Sequence, residues 1–486
     1  MILLKNLQIN KASKLNSQIS FISKNFSNIT NDVKIKQLIT KLSLICSIPE
    51  STVELEIKQF ISSKFDYGKG RFTHIFHLKR LFLSSLIFLF KFFYIAFFSK
   101  LIKKQKYYDL IIDDITSNEL KVSNGIVQHF NSYLLLGNKN LKTNLNYSEM
   151  KSLRNYSRKL ILKKFLNFLL LFLFSLKTSF TQKVNLIPIF SHVVLRFLKY
   201  QSMFETNVAK TLINIRPIIK SSIRNFLFKK NGGKLTASIQ KSLNGYGYAD
   251  FFYDTDILFS TGTRSFLINN SLSCEIKKVI PVGSLALEQY WHKEKKIKSY
   301  EFDVVNLAGN STNTPDILKH LEYDEDYYKQ FEWMVKIEKK FPQLKIGIKH
   351  HKSLRIHDQK EIKIIKNSRI KRIINDNSNG RNKSYNIGFF SNFTCTWCSM
   401  IAYELLSLNK PCFFLDPGGR NDSFFQDDEI NDFWRIKTYE EFENKVLEIV
   451  MEKKIIKIEK PDKFCLESTD VSKKISETLK KYGNLD

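Results

Sequence analysis

At 486 residues, with 43% hydrophobic and 26% charged residues, the chain is too apolar to stay disordered and long enough for roughly two to four domains. Lys and Arg number 77 against 47 Asp and Glu, a formal charge of +30, and such a surplus holds polyanions such as phosphate ligands, anionic lipid or nucleic acid. Part of that surplus is compositional, because Lys, Ile, Asn and Phe are abundant together, as an A- and T-rich genome produces without selection for a basic surface.

In chain order, residues 1–5 lack the apolar core of a signal peptide, so the chain reads as cytoplasmic. Residues 1–105 read mostly as helix, with periodic stretches around 33–45 and 51–64, then an apolar segment at 81–98 interrupted by Lys91. A second apolar segment, 165–176, is flanked by Lys163, Lys164 and Lys177. A spanning helix needs about 20 mostly apolar residues, so the second is too short and the first carries a costly charge near its middle. Two apolar helices with basic flanks fit an anionic membrane surface, which gives the expectation of a protein peripheral on the inner face of the cell membrane. Ordinary buried helices, and a single span at 81–98, are the alternatives.

From Lys106 short β-rich runs alternate with helix-length segments, the pattern of a parallel sheet with crossover helices. Strands are expected at 108–113, 210–213, 234–239, 256–259 and 278–282, each ending in polar or small residues. Ligands in open α/β sheets bind beyond the carboxyl ends of strands, which brings Asp113, Asp114, Asn214, Gln240, Ser260, Thr261 and Gly262 toward one crevice. Asp254-Thr255-Asp256 has the spelling of a metal-binding carboxylate pair, but at the start of a strand it reads as a cap or turn.

After the polar stretch Trp291-His292-Lys293 a second alternation begins: strand 302–307, helix 325–340, strands 344–348, 369–374 and 385–390, helix 399–408 and strand 411–415. From Val446 the tail is helical and Lys-rich. The organisation is α/β, with two doubly wound domains facing across a cleft. A helical, membrane-associating extension (1–105) precedes an acceptor-side domain with an inserted apolar helix (106–290), a donor domain (291–455) and a basic helical tail (456–486).

The sharpest local feature is the expected strand 385–390, a hydroxyl-rich loop with Ser391, Thr394, Thr396 and Ser399, and the helix that carries Glu404. Unpaired N–H groups at a helix start suit a phosphate or diphosphate, and Glu404 further along the helix suits sugar hydroxyls. Plain N-capping explains the same residues without a ligand. Lys349-His350-His351-Lys352, at an earlier strand end, can donate to phosphate oxygens and stabilise a departing nucleoside phosphate. Gly309-Asn310-Ser311-Thr312 follows a strand and offers donors to the same group or a simple turn. Asp113 and Asp114 are the candidate general bases, with His129 and Glu205 as fallbacks. Cys395 and Cys398 lack a second pair at zinc spacing, since His350, His351 and His357 lie some forty residues upstream, so no structural zinc is expected and the cysteines read as reduced thiols.

Lys349-His350-His351, Ser399 with Glu404-Leu405, Lys410-Pro411, the run 412–415 and Asp416 resemble, in order and spacing, the C-terminal domain of GT-B glycosyltransferases of bacterial surface polysaccharide biosynthesis. These include capsule-, sialyl- and Kdo-type enzymes and the related CDP-glycerol glycerophosphotransferases. Asn214-Ile215-Arg216-Pro217, Gln240-Lys241-Ser242 and Val282-Gly283-Ser284 resemble the N-terminal domain more loosely, with Lys241 replacing the family histidine and Lys352 the family proline. The resemblance implies two Rossmann-like domains and a metal-independent transferase without a cofactor. The donor, a nucleotide-activated sugar, is then held by Lys349, His350, His351, Asn310, Ser311, Thr394, Thr396, Ser399 and Glu404, with Gln240 and Thr261 on the side of a glycan or lipid-linked acceptor. Asp113, Asp114 and His351 carry the catalytic roles in that reading. Transfer of a polyol phosphate from a CDP-activated donor, and a non-catalytic scaffold, remain open. A basic nucleic-acid-binding protein is a further alternative, but no recognition motif accompanies the charge, so nucleic acid is not the expected partner.

Overall fold

Helix-forming periodicity without Gly or Pro marks the first described elements: α1 (Val33–Cys46), capped by Asp32, and α2 (Glu50–Lys64), then a short antiparallel hairpin, β1 (Phe65–Asp66) and β2 (Arg71–Phe72), and α3 (Leu78–Phe98). The computed structural model describes residues 32–66, 71–72, 77–99, 105–137, 144–149, 156–215, 221–240, 254–263, 275–294, 302–308, 323–350, 359–373, 380–397, 399–417, 433–459, 461–466 and 469–485.

The first sheet follows: β3 (Lys106–Ile115), α4 (Ser117–Val127), β4 (Tyr133–Gly137), β5 (Tyr147–Glu149), α5 (Arg158–Gln182), α6 (Ile187–Thr206), β6 (Asn207–Asn214), α7 (Ser222–Lys230), β7 (Leu235–Ile239), β8 (Asp254–Ser260) and β9 (Glu275–Pro281). Its strands run parallel in the order β5-β4-β3-β6-β7-β8-β9. The chain therefore winds outward from β3, then reverses between β3 and β6, as in a doubly wound dinucleotide-type sheet. Every residue of β7 is buried, as a strand covered by helices on both faces requires.

The second sheet repeats the plan. After α8 (Leu285–Glu294) come β10 (Val304–Leu307), α9 (Tyr323–Lys340), β11 (Ile346–Lys349), α10 (Gln359–Ile365), β12 (Lys371–Ile373), α11 (Gly380–Phe390), β13 (Phe393–Thr396), α12 (Met400–Ser407), β14 (Cys412–Leu415), β15 (Arg435–Ile436) and α13 (Tyr439–Val446). The order β12-β11-β10-β13-β14-β15 is parallel throughout and reverses between β10 and β13. The chain is thus α/β, with two doubly wound parallel sheets and an N-terminal helical region.

One expected strand is wrong in kind. Residues 385–390 form the second half of α11, and the strand is β13, a few residues later. Two consecutive parallel strands require a crossover between them, and α11 is that crossover from β12. Strands β4, β5 and β15 were not anticipated; they are short, and β4 (Tyr-Leu-Leu-Leu-Gly) reads equally well as a helix fragment.

Helices α1 and α2 are not a separate layer. They pack with α5, α6 and α7 against one face of the first sheet. The fastening is Glu56 of α2, fully buried, which accepts from Arg196 Nη1 at 2.6 Å, Ser221 Oγ at 2.7 Å and the Ile223 amide at 3.3 Å, and lies 2.9 Å from His192 Nε2. Burial pushes its carboxyl up, but Arg196, His192 and Ser221 outweigh that and bring it to about 2.

The two sheets are joined twice. The first crossing is the turn Val282-Gly283-Ser284, where Gly283 has φ +100°, a conformation only glycine adopts without strain. Ser284 Oγ then accepts from the Ala286 and Leu287 amides at the start of α8. The second is the return of the tail: the Leu466 amide donates to Thr261 O at 2.9 Å, and α14 (Val471–Gly483) packs on α4, α8 and the first sheet. Glu288 of α8 caps that helix, accepting from the Ser472 amide at 2.9 Å and Ser472 Oγ at 2.6 Å. The Lys-rich tail is therefore an integral layer, with Val471, Ile475 and Leu479 in the first domain's core.

Candidate functional site at the carboxyl edge of the second sheet

The strand order reverses between β10 and β13, and doubly wound sheets bind ligands beyond the carboxyl ends of the strands at such a reversal. Just beyond β13 the chain turns into α12, with Ser399 as N-cap; its hydroxyl accepts from the Ile401 amide at 3.4 Å. Ser399 and Met400 are half-buried, so the helix start is not sealed under protein. The first N–H groups of a helix point out of it, and with the helix dipole they favour an anion there.

The end of β11 stands at the same edge. Leu307 of β10 pairs with Lys349 on one side, and Asn306 pairs with Cys395 on the other. Only the end of β10 separates the Lys349-His350 corner from the start of α12, about 10 Å at the usual inter-strand spacing. His351, Asn310 and Ser311 lie outside the described residues.

Several expected donors are engaged elsewhere. Thr394 and Thr396 are not on a loop: both are fully buried in β13, where Thr394 Oγ1 donates to Gly388 O at 2.8 Å and Thr396 Oγ1 to Leu307 O at 2.5 Å. They hold the strand to its neighbours. Lys349 is buried with its ammonium donating to His350 O at 3.1 Å. His350 turns inward, its Nε2 2.8 Å from Glu361 Oε1, a fully buried carboxylate that also receives Arg372 Nη2 at 3.3 Å and Tyr327 OH at 3.2 Å.

Glu404 is also buried, and its carboxylate looks into the seam between the domains. It accepts from Ser284 Oγ on the interdomain turn and from Tyr385 OH at 2.5 Å. Beside it Tyr290 OH donates to Asn386 Oδ1 at 2.7 Å, and the Tyr290 and Tyr385 rings stack at 5.1 Å. Burial pushes the neighbouring Cys465 thiol up, and the charge of Glu404 adds to it. The expected sugar-binding carboxylate therefore holds the interdomain turn to α11 and α12 in this arrangement.

The first sheet brings its expected residues to one edge but largely consumes them. Asp113 is buried and accepts from Arg224 Nη1 of α7 at 2.8 Å, which removes it as a solvent-facing general base. The β3–β4 register shifts between Ile112 and Ile115, so Asp113 and Asp114 occupy a bulge; the Asp114 side chain lies outside the described atoms. Gln240 Oε1 accepts from the Thr261 amide at 3.1 Å, and the returning tail covers the Thr261 carbonyl. His129 precedes β4 and Glu205 precedes β6, so both sit at the amino edge, away from the crevice. Asp254 and Asp256 begin β8 at that same amino edge and lie in the strand itself. Asp256 accepts from Thr236 and pairs with Lys229 at 2.7 Å and Lys277 at 2.9 Å. Among the described residues no group of three or more His, Cys, Asp or Glu side chains is placed to hold a metal ion.

The partners Arg224, Ser284 and Tyr385 were not anticipated. For Tyr385 the signal was present: an expected strand with no crossover before it was a helix in disguise. The Asp113–Arg224 and Ser284–Glu404 contacts join positions 111 and 120 residues apart, and nothing in local sequence marks them.

No family model and no curated protein matches the chain. Among solved structures it is similar to the UDP-GlcNAc 2-epimerase of Methanocaldococcus jannaschii in complex with UDP-GlcNAc and UDP, at TM-score 0.44 and 12% identity over 77% of this chain and all of that one. The UDP-GlcNAc 2-epimerase of Neisseria meningitidis bound to UDP-GlcNAc gives TM-score 0.45 and 13% identity over 77% of this chain and 100% of that one. The wall teichoic acid polymerase TagF gives TM-score 0.45 and 12% identity over 84% of this chain and 99% of that one.

Proposed function

We propose that the chain is a transferase that moves a sugar from a nucleotide-activated donor to a surface-polysaccharide or lipid-linked acceptor. The observation that carries the reading is the half-buried start of α12 at the reversal point of a doubly wound sheet, one strand from the Lys349-His350 corner. Main-chain N–H groups there receive the donor's diphosphate oxygens, and the fixed helix dipole stabilises the charge that grows as the sugar–phosphate bond breaks.

The acceptor hydroxyl attacks the anomeric carbon, the carbon–oxygen bond to the phosphate breaks, and its electron pair leaves on the nucleoside diphosphate. The hydroxyl proton passes to a base. With Asp113 held by Arg224, Asp114 on the bulged end of β3 is the proposed base, and His351 the proposed donor to the leaving phosphate. Glu404 acts through position: it fixes the interdomain turn against α12, so the acceptor-side domain meets the donor edge at a set distance.

The test is a panel of UDP-, GDP-, CMP- and CDP-activated donors with the purified chain, read by thermal shift and by turnover. One donor class raises Tm by about 3 °C when present at roughly a hundred times its Kd. A panel in which no donor shifts Tm or is consumed overturns the reading. Release of CMP with transfer of an alditol phosphate would place the attack at phosphorus instead of carbon.

A further inference from the structure

Helix α3 is a helix of 21 residues long and apolar enough to cross a membrane, yet only 28% of its most apolar window is buried inside the molecule. Its inner side packs on α5 and α6: Phe88 stacks on Phe172 at 5.4 Å and meets Phe190 edge-on at 4.8 Å, and Phe92 stacks on Phe165 at 5.1 Å. Its outer side is a stripe of exposed apolar residues at helical spacing, with Phe82 66%, Phe90 70% and Phe97 56% exposed. Helix α5 carries a second stripe, Leu162, Leu166, Leu170 and Leu173, each at least half exposed. Phe93, 5.9 Å from Phe165, bridges the seam between the two helices. An apolar face of this extent is far more than a soluble surface ordinarily shows.

Charge identifies what covers it. Every charged residue on α3 and α5 is a Lys or Arg, and neither helix has an Asp or Glu. On α5 the exposed leucines are bounded by exposed Lys159 and Lys163 at one end and Lys177 at the other, with Lys79 at the start of α3. A second copy of the same face would set these cations against each other with no acidic partner on either helix. A bilayer crossing fails too. It would strip α3 of its packing against Phe172 and Phe190, and the uncharged part of α5, 165–176, spans about 18 Å against a hydrocarbon core of about 30 Å.

We infer that α3 and α5 lie side by side in the plane of an anionic bilayer, their leucines and phenylalanines entering the acyl boundary and the flanking lysines meeting lipid phosphates. The proposal is independent of the donor edge, because it assigns a surface on the helical layer and not a ligand of the second sheet. It accounts for how the chain reaches an acceptor held at a membrane.

The test is co-sedimentation of the full chain with vesicles of phosphatidylcholine alone and of an equal mixture with phosphatidylglycerol, at low and high salt, with an alkaline carbonate wash of the pellet. The expected result is pelleting with the anionic vesicles, weakened by salt, absent with phosphatidylcholine alone and reversed by carbonate. Leu166→Glu with Leu170→Glu, both solvent-facing, lowers the partition roughly a hundredfold while Tm and the donor-induced thermal shift stay as in the parent chain. Lys159→Gln and Lys163→Gln each lower it about fivefold on anionic vesicles only. The proposal is overturned by absent pelleting, by a leucine double variant that pellets like the parent, by carbonate-resistant pelleting, or by a parent dimer that this variant splits without any vesicle binding. Loss of vesicle binding with an intact donor shift would sink this inference alone; the reverse pattern would sink the transferase reading alone.

Discussion

At the reversal point of the first sheet, Asp113 is neutralised by Arg224 at 2.8 Å beneath a layer of helices; at the reversal point of the second, the chain leaves β13 and turns into the half-buried start of α12. The six-stranded sheet repeats the order of the first six strands of the seven-stranded one, so topology nominates two crevices. Side-chain partners separate them. In the first, Asp113, Gln240 and Thr261 satisfy one another or their neighbours; in the second, the start of α12 is half-buried, with its Ile401 and Ala402 amides taken up by the hydroxyl and carbonyl of Ser399 itself, and the buried carboxylates Glu361 and Glu404 serve the scaffold around it.

The largest effect that tests this contrast is at Asp113. Asp113→Asn leaves the Arg224 guanidinium buried without its counter-charge, and unfolding measured in urea should show a loss of about 3–5 kcal/mol. The folded variant should keep the proposed turnover within a small factor of the parent chain. A variant of parental stability whose kcat falls by about a hundredfold or more would make Asp113 the base and erase the distinction between the two edges.

Next comes acid. The Glu56 carboxyl stands at about 2 in the folded chain against an ordinary value of 4.5, so its contribution is present in full above the ordinary value and fades as pH falls toward 2. The difference corresponds to about 3 kcal/mol. Urea midpoints followed into acid should fall for the parent chain, and Glu56→Gln should start lower at neutral pH and fall less. Parallel curves would show that α2 is not fastened to the first domain through this group.

Smaller again is Glu404. Glu404→Gln keeps the shape and removes the charge-assisted bonds to Ser284 and Tyr385, at a cost of about 2 kcal/mol. Because it acts through the interdomain turn, kcat should fall more than donor affinity does, and Tyr385→Phe should reproduce a fraction of the effect. A donor Kd that collapses while kcat at saturation holds would make Glu404 a direct ligand.

The smallest effect is at the cap. Ser399→Ala frees the Ile401 amide and should destabilise the ligand-free protein by about 1 kcal/mol. With a saturating donor that difference should narrow, since the ligand's phosphate supplies the missing acceptor. A constant difference would place the anion elsewhere.

Much of this architecture was legible along the chain. Apolar runs closed by polar or small residues marked β3, β6, β7, β8, β9, β10, β11 and β14, and their alternation with helices implied parallel sheets. The failures were physical. Tyr-Asn-Ile-Gly-Phe-Phe at 385–390 has β composition but serves as a crossover helix, because β12 and β13 are parallel neighbours in sequence. The true strand, Phe-Thr-Cys-Thr, is four residues long and looked like a loop. The position of the helix start at Ser399 was legible because a cap is a local event. The fates of Asp113, His350 and Glu404 were not, since Arg224, Glu361 and Ser284 reach them only through tertiary folding.

Amide hydrogen exchange with and without UDP, GDP, CDP or CMP tests directly whether the start of α12 receives the phosphates of a nucleotide donor. One of these nucleotides should slow exchange at the amides from Ser399 to Glu404 and leave those at the end of β3 unchanged. Protection confined to the first sheet, or none with any of the four, would contradict it.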